Sequence, residues 1–136
     1  MDTEVSITGI AEKYFISSQH RSKRPKKSFW LISITKEISC FKQSMVSGWK
    51  NNDDAWGLYL SNGIALVLGK NKNGEEVKIA KFVNSSGINT WHGYPADYIG
   101  NTQDKPTTSI LQMWVCLSYI GKADMAKILR GLKCSL

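Results

Sequence analysis

The sequence predicts an α+β fold, in which an antiparallel sheet of about five strands carries one inserted helix and a C-terminal helical pair packed on it. Two Asn-Gly pairs, Asn62-Gly63 and Asn73-Gly74, each lie between apolar runs. This pattern is typical of tight hairpins, because both residues tolerate positive φ. Residues 37–49 and 107–130 instead repeat their apolar side chains at helical spacing. Strands therefore dominate the first two thirds of the chain and helices close it.

The first predicted strands lie on either side of a basic segment. Residues 4–17 have the pattern of one strand or two short ones, because apolar and polar side chains alternate there. Residues 28–35 are β-branched and aromatic, with Trp30, Ile32 and Ile34 on one face. The segment between them reads SSQHRSKRPKK. We expect a hairpin with a long, charged, mobile tip.

The middle of the chain predicts a helix followed by a meander. The helix covers residues 37–49, and its apolar face consists of Ile38, Phe41, Met45 and Trp49. The two Asn-Gly turns then separate predicted strands at residues 55–61, 64–70 and 76–83. Together with residues 28–35 these strands should form one antiparallel sheet in sequence order.

The C-terminal region predicts two helices. Thr107, Thr108 or Ser109 could cap the first, whose apolar positions are Ile110, Leu111, Trp114, Leu117 and Ile120. Gly121 should end it, and a second helix over residues 123–130 should end at Gly131. The pair has the outline of a helix-turn-helix, but its second helix offers few side chains that read bases, so packing is the favoured role.

Composition limits the class of protein. The 136 residues fit a single domain, residues 1–136, and 42% hydrophobic content lies in the globular range. The N-terminus is acidic where a secretory signal would be basic, and the longest apolar run, residues 64–68, is far short of a membrane span of roughly 20 residues. Three widely spaced cysteines indicate reduced thiols. We therefore expect a cytoplasmic protein with no membrane partner.

The net charge of +7 is concentrated in one place. Five basic residues lie within seven positions: Arg21, Lys23, Arg24, Lys26 and Lys27. The other 13 basic residues (18 minus these five) nearly balance the 11 acidic ones. A protein that binds nucleic acid across a face usually spreads its Lys and Arg residues more widely. The segment could contact phosphates or an acidic partner, act as a targeting signal, or be a solvated hairpin tip.

Residues 84–107 fit neither a helix nor a strand, which predicts a long loop. Loops of this length in a compact domain are usually functional or disordered, and disordered segments rarely carry large aromatic side chains. The loop contains the candidate site residues Trp91, His92, Tyr94, Asp97 and Tyr98. They could pack a structural turn, bind a partner, or perform acid/base chemistry, in which Asp97 would orient His92.

The histidines raise the question of two specific chemistries, RNA cleavage and metal binding. His20, His92 and a lysine could form the acid/base set of a metal-free ribonuclease, although a solvated loop position is the more ordinary expectation for His20. Two histidines without clustered carboxylates do not predict a metal site, and no motif predicts a cofactor.

The sequence favours binding over catalysis. We expect a small non-enzymatic protein, most concretely an inhibitor or immunity-type protein that neutralises a partner, such as a toxin or nuclease with an acidic surface. Trp91, Tyr94 and Tyr98 would anchor the partner, with His92 and Asp97 beside them, and the basic segment would steer association. The alternatives are a nucleic-acid-binding module and a small metal-independent RNA-cleaving enzyme that uses His92.

Overall fold

The computed structural model describes residues 3–84 and 88–134 and confirms the α+β fold class. Within these residues the helices are α1 (Ile34–Ser47), α2 (Thr108–Cys116) and α3 (Lys122–Leu129). The described strands are β1 (Thr3–Ser6), β2 (Lys13–Ile16), β3 (Phe29–Trp30), β4 (Lys50–Asn51), β5 (Asp54–Ser61), β6 (Ile64–Leu66), β7 (Gly69–Lys70), β8 (Glu76–Val77), β9 (Ile79–Asn84) and β10 (Thr90–Pro95).

The strands form a large and a small sheet. The large sheet has the order β1-β2-β10-β9-β5-β4, with β6 paired to β5. The small sheet has the order β3-β7-β8. The described pairs are antiparallel, apart from β2 and β10, which run parallel. The architecture is therefore mostly antiparallel, as predicted, but the main sheet is larger than five strands.

Helices cover both faces of the large sheet. Ala55 of β5 and Phe82 of β9 belong to one core with Phe41 of α1. Trp56 belongs to a second core with Trp114 of α2. Successive side chains of a strand point to opposite faces, so the alternation of Ala55 and Trp56 places α1 on one face and the C-terminal helices on the other. Trp114 is fully buried, as its helical spacing predicts.

The predicted turns are present, with different chemistry at each. Asn62 and Gly63 both have positive φ, 53° and 76°, as the tight β5–β6 hairpin requires. In the β7–β8 turn only Gly74 has positive φ, and the Asn71 side chain accepts hydrogen bonds from the backbone N–H groups of Asn73 and Glu75. An asparagine side chain here replaces part of the backbone turn.

Residues 28–35 do not form the long strand that their composition predicts. Only Phe29–Trp30 is a strand, and α1 begins at Ile34 because the Ser33 side chain accepts a hydrogen bond from Lys36 N at 3.3 Å. At the other end, Gly48 with φ 71° stops α1. Trp49 therefore lies beyond the helix, and its ring packs edge-on against Trp114 in the second core.

The predicted single sheet in sequence order is wrong. Residues 64–70 divide into β6 and β7, and residues 76–83 divide into β8 and β9. Of these strands, β6 and β9 belong to the large sheet, and β7 and β8 belong to the small sheet. Gly69 permits this close approach of the two sheets, since a Cβ on it would lie 2.3 Å from Pro95 Cγ. The pairs between these strands are nevertheless antiparallel.

The predicted loop at residues 84–107 contains β10, a central strand of the large sheet. β10 pairs with β9 on one side and β2 on the other. Gly93 has a packing role in this strand, because a Cβ on it would lie 2.4 Å from the Phe82 ring. Trp91 is 2% exposed and belongs to the α1 core.

The basic segment is not a hairpin tip. β2 pairs with β1 and β10, whereas β3 pairs with β7, so residues 17–28 connect two sheets. Two C-terminal details also differ from the prediction: Leu117 is 51% exposed, and Gly121 begins α3 as its N-cap and does not end α2. No helix within residues 3–84 and 88–134 is long and apolar enough to span a bilayer.

Candidate functional site

A polar cleft of about 380 Å³ lies where the connection between the two sheets crosses β10. We call it the basic cleft. Its walls come from three parts of the chain: the 17–28 connection, the β7–β8 turn and the segment from β10 to residue 104. The lining residues are Gln19, His20, Lys26, Lys27, Ser28, Lys72, His92, Tyr94, Asp97, Asn101 and Asp104.

β10 supplies His92 and Tyr94 to one face of the sheet. Strand geometry places side chains at positions i and i+2 on the same side, about 7 Å apart. Trp91 and Gly93 lie on the opposite side, against the α1 core. The alternation that buries Trp91 therefore presents His92 and Tyr94 to the cleft.

His20 reaches the cleft from a short 3₁₀ turn, Ser18–His20, which the Ser17 side chain caps. The His20 ring stacks on Tyr94, with ring centroids 5.3 Å apart and an interplanar angle of 28°. His20 Nδ1 lies 2.8 Å from the Ser28 carbonyl oxygen. Because a carbonyl can only accept, Nδ1 carries the proton, and in the neutral ring Nε2 carries the lone pair.

An ion pair between partly buried Arg21 and buried Glu37 fixes the chain beside His20. Arg21 donates to Glu37 Oε1 at 2.9 Å and to the Ile32 carbonyl at 2.8 Å. Glu37 is 1% exposed and also accepts a hydrogen bond from the Tyr14 hydroxyl. Arg21 thus links the 17–28 connection to α1 and, through Tyr14, to β2. The basic segment is anchored here, which its charge pattern did not reveal.

The far end of the basic segment is a β-turn. Lys27 N donates to the Arg24 carbonyl at 3.2 Å, which places Pro25 and Lys26 at the two central positions. Lys26 has φ 61°, a value that the third position of a type II turn requires and that glycine usually supplies. The turn holds Lys26 and Lys27 at the cleft.

Asp104 organises the opposite wall. This carboxylate is 2% exposed and accepts hydrogen bonds from the Tyr94 hydroxyl and from Asp97 N, both at 2.8 Å. Burial first, and then the charge of Asp104, raise the pKa of Tyr94. Tyr94 therefore keeps its proton at neutral pH and acts as a fixed hydrogen-bond donor.

The surroundings of the two imidazoles favour their neutral forms. Burial lowers the pKa of His92. Burial is also the main cause that lowers the pKa of His20, and the nearby charges of Lys27, His92 and Arg24 add to it. The hydrogen bond to Ser28 partly opposes these effects. A bound anion would oppose this shift, because an opposite charge nearby favours the protonated ring.

The structure brings together some of the predicted site residues and separates others. His92, Tyr94 and Asp97 from the predicted loop line the cleft with Lys26 and Lys27 from the basic segment. The predicted residues outside its lining are Trp91 in the core, Arg21 in the ion pair, exposed Lys23 and Arg24, and Tyr98, which donates to the Leu132 carbonyl at a separate cleft.

Sequence reasoning did not assign Lys72, Asn101 or Asp104 to the site. Lys72 lies in the second Asn-Gly turn. The Asn-Gly pair predicted a hairpin, but it did not indicate that this hairpin would lie beside the 17–28 connection and β10. Asp104 is the last residue of the helical turn Thr102–Asp104, which Asn101 caps, with Asn101 Oδ1 accepting from Gln103 N. Asn-x-x-Asp is a local capping pattern, and it gave no signal of a contact with Tyr94.

Within residues 3–84 and 88–134, no three His, Cys, Asp or Glu side chains lie close enough together to hold a metal ion. Comparisons with protein families, with curated proteins and with solved structures found no match to this chain. The chemistry of the basic cleft is therefore the ground on which a function is proposed.

Proposed function

We propose that the basic cleft binds the phosphates of a single-stranded nucleic acid. The observation that carries this proposal is the convergence of Lys26, Lys27 and Lys72 with His20 and His92 on one concave site. Each ammonium group that neutralises a phosphate releases a condensed counterion, which drives binding. The imidazoles add donors that become cationic when an anion approaches.

The shape of the cleft favours a flexible strand. Its volume of about 380 Å³ lies within the range of sites that hold small molecules. A single strand can place one nucleotide inside such a concavity, whereas a duplex presents its phosphates on a convex surface. Tyr94 and Asn101 supply polar groups that could contact a sugar or base within the cleft.

A second candidate is an inhibitor or immunity-type protein that binds an acidic partner protein. Exposed Lys23 and Arg24 favour it, because they extend the positive charge beyond the cleft and could steer association. The burial of Trp91 removes one of its three proposed anchors, so we place this candidate second. Cys40, Cys116 and Cys134 are free thiols, so we propose a cytoplasmic location for either function.

The test is binding of a fluorescent oligonucleotide over a range of salt concentrations. The variant K26S/K27S/K72S removes three charges from the cleft, and the control K13S/K122S/K127S removes three exposed charges elsewhere. If each cleft lysine neutralises one phosphate, the cleft variant should flatten the slope of log affinity against log salt by about 2. The slope of the control variant should stay closer to that of the parent.

Three results would contradict the proposal. The first is the absence of salt-dependent binding to single-stranded RNA or DNA. The second is equal loss in the two triple variants, which would indicate diffuse attraction to net charge. The third is recovery of an acidic protein from host extract by the parent but not by K23S/R24S, with recovery unaffected by nuclease treatment. That result would favour the inhibitor candidate.

A further inference from the structure

We propose that the basic cleft cleaves RNA by transesterification, with His20 as the general base and His92 as the general acid. This inference rests on the proposed binding of a nucleic-acid strand and adds a reaction to it. It is carried by the placement of two imidazoles in one cleft with a tyrosine and three lysines, where the His20 ring stacks on that tyrosine, Tyr94.

The two histidines lie close to the same tyrosine, so a phosphate bound in the cleft could contact both. The His20 ring stacks 5.3 Å from the Tyr94 ring, and His92 precedes Tyr94 by two residues on the same face of β10, at a strand spacing of about 7 Å. The rings are close enough that charge on His92 lowers the pKa of His20. A phosphate between them would have one proton acceptor and one proton donor within reach.

The tautomer of His20 indicates that this ring is the general base. The Ser28 carbonyl holds the proton on Nδ1, so Nε2 of the neutral ring is the basic atom. A serine carbonyl thus performs for His20 the orienting role that a carboxylate performs in other acid/base pairs. His92, in its protonated form, then supplies the second proton transfer.

The reaction balances without another reactant. Nε2 of His20 takes the proton of the ribose 2′-hydroxyl while the 2′-oxygen attacks phosphorus and forms a new P–O bond. The bond between phosphorus and the 5′-oxygen breaks, the electron pair leaves with that oxygen, and the His92 imidazolium protonates it. The products are a 2′,3′-cyclic phosphate and a 5′-hydroxyl end. Exchange of protons with water then restores both histidines.

The remaining charged groups of the cleft have supporting roles. Lys26, Lys27 and Lys72 neutralise the charge that develops on the phosphate oxygens. Asp104 is held by Tyr94 and by Asp97 N. Tyr94 keeps its proton, and it serves as a platform for the His20 ring.

The test uses an oligonucleotide with one ribonucleotide among deoxynucleotides, in a buffer that contains EDTA. We expect cleavage at the ribonucleotide and a 2′,3′-cyclic phosphate product, identified by mass spectrometry. An all-deoxy oligonucleotide should bind but remain intact. His20→Ala and His92→Ala should each lower kcat/KM at least about 100-fold, the usual contribution of a general acid or base. Lys127→Ser, prepared identically, is the control.

The pH profile and chemical rescue distinguish catalysis from a structural role. The charged groups facing His20 and His92 are Arg24, Lys26, Lys27, Lys72, Asp97 and Asp104. Because both pKa values lie below the ordinary 6.5, kcat/KM should follow a bell with its maximum on the acidic side of pH 6.5. His20→Ala should lose the acidic limb and His92→Ala the alkaline limb. Imidazole added to either variant should restore part of the activity.

Failure of this inference is separable from failure of the proposed function. If the all-deoxy oligonucleotide does not bind, the proposed function fails and the cleavage proposal fails with it. If it binds but the ribonucleotide is not cleaved, only the cleavage proposal is overturned. Cleavage that leaves a 5′-phosphate, proceeds equally on the all-deoxy strand, or survives both histidine variants would also overturn it.

Discussion

Glu37 illustrates how one buried side chain supports a site that it does not touch. It lies between Tyr14 of β2 and Arg21 of the 17–28 connection. Burial raises the pKa of Glu37, while the hydrogen bond from Tyr14 and the charge of Arg21 oppose the rise. Removing one partner from a buried pair leaves an uncompensated charge, which is more costly than replacing both.

The raised pKa of Glu37 gives a prediction about stability and pH. The protonated form favours the fold, so this contribution is complete below about pH 4.5, the ordinary pKa. It is lost as the pH rises through the higher folded-state pKa. Glu37→Gln removes the titration. The unfolding free energy of the variant minus that of the parent should therefore become more positive from pH 4 to pH 7.

The measurement is urea denaturation of both proteins at several pH values. Glu76→Gln is the matched control, because Glu76 is an exposed carboxylate on β8. A difference between parent and Glu37→Gln that stays constant with pH would contradict the prediction. It would mean that the carboxylate is solvated more fully than its 1% exposure indicates.

At the scale of elements, local propensity explains much of the fold but little of the site. Ser33, Gly48 and Thr107 define helix ends by local hydrogen bonds or backbone conformation, so their helices could be predicted to within a few residues. β10 could not, because Gly93 and Pro95 resemble turn residues. In the structure, Gly93 packs against the Phe82 ring and Pro95 packs against Gly69, and both of these are tertiary contacts.

The turn at residues 24–27 gives an element-scale prediction. Lys26 holds a left-handed conformation, which costs a non-glycine residue about 1 to 2 kcal/mol. Lys26→Gly should remove most of that strain, less the greater entropy that glycine loses on folding, for a net gain of about 0.5 kcal/mol. It should also weaken oligonucleotide binding, since one ammonium is lost from the cleft.

Two measurements check this prediction: the urea denaturation midpoint and the affinity for a labelled RNA. Lys23→Gly is the control, because Lys23 is an exposed lysine outside the cleft lining. Stability that falls in Lys26→Gly would refute the strain assigned to this turn. Unchanged affinity at low salt would show that Lys26 does not reach the phosphate.

At the scale of the whole molecule, the basic cleft combines segments that are far apart in the sequence. His20, Lys72 and His92 come from the connection between sheets, a hairpin turn and a central strand. Regions 21–27 and 91–98, which the sequence identifies as candidate sites, both contribute residues to the cleft. Their meeting depends on the Arg21–Glu37 pair and on the parallel pairing of β2 with β10, neither of which has a local signal.

The two cores give the last prediction, which separates stability from function. Trp114 is fully buried in the core beneath α2 and α3, and it does not line the cleft. Trp114→Ala should lower the unfolding free energy by about 3 to 5 kcal/mol, through lost burial and the cavity that remains. The affinity of the folded fraction for RNA should stay at the parent value.

Arg21→Ala is the variant to compare with Trp114→Ala, because Arg21 lies in the connection that carries His20. It should destabilise the fold through the unpaired Glu37 and also weaken RNA binding by the folded fraction, since the Ile32 and Glu37 contacts that hold this segment are gone. Both variants should be measured at 10 °C, with the folded fraction taken from urea denaturation. If Trp114→Ala weakens binding as much as Arg21→Ala, the cleft depends on the whole fold. The ion pair then has no special part in placing His20.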